Sequence, residues 1–175
     1  MNRDRSSDCL LVVVLALSFL SLPVAFGATS TAAPAAATLQ PGQAAGSLTV
    51  GDKTITLSHA STYATTYMDK KHVVLLLTDQ ALPAASWKDA ADMMMYRMAG
   101  HKFGGVEFYL DDQRHVTMAN YYAAEDSPIG GNPVFELKLD AGAGKTLSGS
   151  ARSTPFAATL HSPVKLEVRF NAPLP

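Results

Sequence analysis

The sequence predicts a mainly β domain of α+β class, an antiparallel β-sandwich or open barrel of about eight strands with one packed α-helix. Three observations carry this. Apolar and polar residues alternate with period two in short segments through most of the chain, as half-buried strands require. One segment alone, residues 86–99, has helical periodicity. Turn stretches such as Gly51-Asp52, Asp111 to Arg114 and "AGAG" (141–144) separate segments.

Taken in order, "SLTV" and "KTITLSHA" (47–50 and 53–60) read as two strands joined by Gly51-Asp52, a glycine-first pair suited to a tight hairpin. Tyr63 to Tyr67 adds a short strand. In "HVVLLLTD" (72–79), Val73 to Leu77 are apolar without alternation, so this strand is central and covered on both faces. Ser86 then reads as a helix N-cap, with Asp89 three residues on completing a short-acid capping box. At about 100° per residue, Trp87, Ala91, Met94 and Met98 share one face, expected to lie against the sheet. Lys88, Asp89, Asp92 and Tyr96 take the other. Asp89 and Asp92 suit the positive end of the helix dipole and Arg97 the negative end, and Gly100 ends the element. "GVEFYL" and "HVTMANYY" flank the turn Asp111 to Arg114. "VFELKLD" (134–140), residues 145–152 and the strictly alternating "VKLEVRF" (164–170) complete the set.

Residues 1–27 have the layout of a secretory signal peptide. Arg3 and Arg5 precede the apolar run from Cys9 to Leu22, Pro23 breaks it, and Ala25-Phe26-Gly27 offers small residues for cleavage. The run has 14 residues, short of the roughly 20 that a spanning helix needs. Export to the periplasm or beyond, with no stable membrane insertion after leader cleavage, is the expectation. Residues 28–45, "ATSTAAPAAATLQPGQAA", are almost entirely Ala, Thr, Pro, Gln and Gly, with two prolines that discourage a helix, and read as a disordered Ala/Thr/Pro linker. The β-rich domain is then 46–175.

Cys9 is the single cysteine and lies in the leader. The exported chain would carry no disulfide, thiol nucleophile or thiolate metal site. A formal net charge of −1 argues against nucleic acid held by bulk electrostatics. "GAGKT" (142–146) invites a nucleotide reading. A phosphate loop, however, needs a glycine where Leu139 stands, and a helix where "LSGSARSTP" follows. The stretch reads as a turn between strands, so neither nucleotide nor any other cofactor is expected.

The five histidines, at 59, 72, 101, 115 and 161, stand singly without a zinc spacing, and no G-x-S-x-G elbow is present. Met94, Met98 and His101, spaced four and three apart, offer donors that suit Cu(I). Flexible methionine also fills helix-to-sheet cores, and packing is the reading adopted. Tyr63, Tyr67, Tyr121 and Tyr122 could floor a ligand groove for a glycan or peptide, against ordinary strand packing.

With these elements placed, residues 46–175 resemble a family of small, functionally uncharacterised secreted bacterial β-rich proteins. The resemblance runs through "GSLTVGDKTITLSHA", "VVLLLTDQALP", "GGVEFYLDDQRHV" and "GKTLSGSA…VRFNAPLP". It implies a β-rich domain exported by a Gram-negative-type cell, and it carries over no catalytic or binding residue. The expected role is a non-enzymatic exported domain binding a protein, peptide or glycan of the cell envelope. A second reading is a periplasmic hydrolase whose Ser/His/Asp site is assembled in space, with His59, His115 or His161 as base. A third is a Met/His copper-binding protein.

Overall fold

The computed structural model describes residues 38–123, 129–130, 134–141 and 144–175. The expected leader, and residues 28–37 of the expected linker, lie outside the described residues. Among the described residues, nine strands and one α-helix follow in order. They are β1 (Gln43–Val50), β2 (Lys53–Tyr67), β3 (Lys70–Thr78), α1 (Ala90–Met98), β4 (Gly105–Leu110), β5 (Val116–Tyr122), β6 (Ile129–Gly130), β7 (Phe135–Leu139), β8 (Thr146–Ser153) and β9 (Val164–Pro173). Among the described residues no helix is long and apolar enough to cross a membrane.

All nine strands form one antiparallel sheet in the order β6-β5-β4-β3-β2-β1-β9-β8-β7. Strands consecutive in sequence account for every neighbour except β1 and β9, which pair from Gln43↔Asn171 to Val50↔Val164. The sheet curls into a half-barrel, so that across its concave side the Phe135 ring of β7 lies 6.1 Å from Phe108 of β4 and 5.8 Å from Tyr121 of β5. Of the two expected architectures, the open barrel is therefore the one adopted. Alternating direction along the order makes β6 and β7 run the same way. Ile129–Gly130 pairs with β5 and, five residues on, Phe135–Leu139 pairs with β8. The strand not expected from the sequence is the two-residue β6, which adds to the edge of the sheet beside β5.

The alternation of each strand builds two cores. Leu48, Leu57, Leu75, Leu77, Phe108 and Phe170 are among the side chains that fill the concave side. On the convex side of β2 to β5, Tyr63, Val74, Leu76, Tyr109 and Tyr122 form a second layer with Met93 of α1 and Phe103. β3 contributes to both, which explains its unbroken apolar run.

Three expectations are corrected. The linker does not extend to residue 45. Gln43–Ala45 pair with β9, Ala44 is buried, and the Gly42 N–H donates to the Asn171 carbonyl at 2.7 Å. Tyr63–Tyr67 is not a separate strand but the far half of the 15-residue β2.

The third correction concerns the helix. It is capped by Asp89, whose carboxylate accepts from the Ala91 and Asp92 N–H groups at 2.9 and 3.2 Å; Ser86 belongs to the preceding 3₁₀ turn. Trp87 is extended and lies outside the helix, edge-on to Tyr63 at 5.5 Å. The stripe built on Trp87 therefore has the wrong phase. The buried helix residue is Met93, while Met94 and Met98 are 59% and 74% exposed. The packing role expected of Met94 and Met98 falls to Met93.

The β2–β3 hairpin turns through Met68 and Asp69, both at positive φ (50° and 59°). An L side chain is strained there, and Asn-Gly is the pair that suits this turn. Met68→Asn with Asp69→Gly should raise stability by about 1 kcal/mol, read as a higher urea midpoint with an unchanged slope. An unchanged or lower midpoint would contradict the strain argument.

Candidate functional site

Two polar groupings stand out, one sealed and one open. The sealed one centres on Glu107, in the middle of β4, where every residue is buried. Its side chain points to the convex layer. Oε1 accepts from Asn120 Nδ2 at 2.6 Å across the β4–β5 pair, and the Tyr122 hydroxyl also bonds the carboxylate. Oε2 has no partner among the described residues. Burial pushes the carboxyl above the usual carboxylate range, against the opposing pull of its two hydrogen bonds and of Arg97. The Arg97 guanidinium sits 4.7 Å above the Phe103 ring and 4.5 Å above the Tyr122 ring, and Nη1 donates to the Phe103 carbonyl. Burial, then the charge of Glu107, raises the Tyr63 and Tyr122 phenols strongly and pushes Tyr109 up to about 12. The Tyr63 hydroxyl lies beside that of Tyr109, too loosely for a hydrogen bond of ordinary geometry.

The open grouping is a cleft of about 560 Å³ where the β2–β3 strands meet the start of α1 and the β4–β5 turn. Lys71 and Lys88 face it alongside Asp89, Asp111 and Asp112, and Thr65, Thr66 and His72 line it as well. These groups are fixed by rigid elements. Thr65 Oγ1 accepts from the Ala90 N–H at the helix start. Asp111 closes the β4–β5 turn by accepting from the His115 and Gln113 N–H groups at 2.7 and 3.0 Å. The first of these bonds does most to hold its carboxyl below the usual range. His72 is buried against Tyr67 and Tyr109. Its Nδ1 lies 3.0 Å from the Lys70 carbonyl. A carbonyl only accepts, so Nδ1–H is the donor of this bond.

The expected site residues are dispersed. Tyr121 points into the barrel against Phe135, while Tyr63 and Tyr122 are sealed beneath α1 and Tyr67 packs on His72. The four tyrosines share no open groove. His59 lies on β2, His115 is exposed beside Asp111 at 3.5 Å, and His161 is exposed in the loop before β9. No serine lines the cleft. His101 stacks on Tyr96 at 4.2 Å, and Tyr96 is about 200° around the helix from Met94. Among the described residues no three His, Cys, Asp or Glu side chains gather as a metal-binding group. Thr146 of the "GKT" stretch starts β8 directly, with no helix after it.

His72, Glu107 and Asn120 were not singled out from the sequence. An acid inside the apolar run "GVEFYL" was the one available signal. Compared with known proteins, the chain matches no family model, no curated protein and no solved structure. The fold and site define an open up-and-down β-barrel with a filled interior and a charged external cleft.

Proposed function

We propose that this is an exported, non-enzymatic binding domain that takes a short polar peptide of the cell envelope in the cleft beside His72. One observation carries the reading: the 560 Å³ cleft presents lysines and carboxylates together where β3 meets the start of α1 and the β4–β5 turn, while the barrel interior is occupied by apolar side chains. A peptide bears both charge signs, so it can meet Lys71 and Lys88 with its acids and Asp111 and Asp112 with its bases. A neutral glycan would meet the same groups through hydroxyl hydrogen bonds alone, without pairing their charges. Export rests on the leader at 1–27 and on the resemblance to secreted bacterial proteins.

The test uses ¹⁵N-labelled chain recovered from the periplasm, its N-terminus at Ala28 verified by mass spectrometry. Heptapeptides selected by phage display are then titrated in, with envelope glycan fragments as a second arm. Amide shifts should cluster at Thr65, Thr66, Lys71, His72, Lys88 and Asp111. Reversing Lys71 and Lys88 to Glu should weaken binding by about tenfold or more, while Lys145→Glu leaves it unchanged. Shifts confined to other surfaces, or binding indifferent to the double reversal, would refute this reading, and saturation by glycan alone would replace the peptide.

A further inference from the structure

The exposed side of α1 carries a helical stripe of Ala91, Met94, Met95 and Met98, and its three large members are all thioethers. They are 59%, 63% and 74% exposed, whereas Met93, one residue away, is buried. The cores on either side of the sheet make no use of them. Met98 lies one turn from both Met94 and Met95, at spacings of four and three, where Cβ atoms on a helix are about 5–6 Å apart. Long unbranched side chains can then bring three sulfurs to one point above the helix surface.

We propose that Met94, Met95 and Met98 form an all-thioether site for a soft monovalent cation, Cu(I) in biology and Ag(I) in the test tube. Thioether sulfur is a soft, uncharged donor that favours Cu(I) over harder divalent ions. Docking of an apolar partner would be served equally by leucine, whereas cation capture needs sulfur. The arrangement differs from the Met94, Met98 and His101 set expected from spacing. His101 is held against Tyr96 on another side of the helix, so Met95 takes the third place. The site stands on an exposed helix face and involves none of the cleft residues.

The experiment uses the secreted chain with Cys9→Ser in the background, so that any retained leader offers no thiol. Ag(I) nitrate is titrated in chloride-free buffer while ¹³C-labelled methionine methyl groups are followed by NMR. The methyls of Met94, Met95 and Met98 should shift together at one equivalent, with a dissociation constant of about 10 µM or tighter, and Met93 should stay in place. The triple change to Leu at 94, 95 and 98 should weaken binding about 100-fold or more with the thermal midpoint nearly unchanged, since exposed side chains are replaced by good helix formers. His101→Ala should leave affinity within a few-fold. Independent shifts of the three methyls, affinity retained in the triple variant, or loss of affinity with His101→Ala would each overturn the proposal.

Discussion

Gly46→Ala should lower the thermal midpoint of the domain by roughly 10 °C or more, the result of a loss of about 3 kcal/mol in a chain of this size. Gly46 sits where β1 runs between β2 and β9, opposite Leu57 and Val168. A Cβ there would lie 2.1 Å from the Glu167 carbonyl oxygen and 2.4 Å from the Val168 Cα. Both are backbone atoms of a paired strand, so no side-chain rotation relieves the clash. The β1–β9 ladder, the one pairing between strands that are not consecutive in sequence, must open or shift. Gly144→Ala is the control. Its nearest contact would be the Thr146 nitrogen at 3.9 Å, and its effect should stay within about 0.5 kcal/mol. Equal midpoints for the two variants would show that β1 and β9 are not in the close approach described.

Glu107→Gln should stabilise the domain by about 1–3 kcal/mol near pH 8 and have little effect near pH 4. The sign follows from burial. The folded state holds the Glu107 carboxyl above its ordinary value, so the folded protein prefers the protonated acid. Its contribution is fully present below the ordinary carboxylate range and is lost as pH rises through the elevated folded value. Glutamine keeps an acceptor for Asn120 and offers an amide that stays neutral at every pH. Urea unfolding of parent and variant at several pH values between 4 and 8 separates them. The parent should lose stability as pH rises through this window, and the variant should lose less. Parallel curves would mean that Glu107 is not the group whose burial is felt. Asp111 acts in the opposite sense and at lower pH. Its carboxyl is held below the usual range, so its contribution disappears only as pH falls through that depressed value.

Much of the scaffold was legible because its signals are local. The alternation in "VKLEVRF" reappears as buried Val164, Leu166, Val168 and Phe170 with exposed Lys165, Glu167 and Arg169 between them. Gly51 takes the positive φ that a glycine-first hairpin needs, and the unalternating Val73 to Leu77 run lies between two cores. The candidate site was less legible. The cleft draws Thr65 from β2, His72 from β3, Lys88 from before α1 and Asp111 from the β4–β5 turn. No spacing along the chain encodes their convergence, because it arises from sheet curl and from where α1 lands.

The amino-acid order by itself determined where most strands and turns fall, that one helix follows the "HVVLLLTD" strand, and that "GKT" leads into a strand. Each of these follows from side-chain period or from the φ preference of a few residues. Tertiary structure alone decided the rest. Ala44 has little strand propensity, yet it is drawn into the sheet because β9 needs a partner along its whole length. The helix face was chosen by its surroundings rather than its own periodicity. Asp89 supplied the cap, Trp87 was left outside to pack on Tyr63, and the Phe103 and Tyr122 rings drew Arg97 inward. That rotation turned Met94, Met95 and Met98 to solvent. Burial also raised Glu107, a residue whose sequence shows only an acid, because its protonation depends on the layer of rings and the helix that exclude water from it.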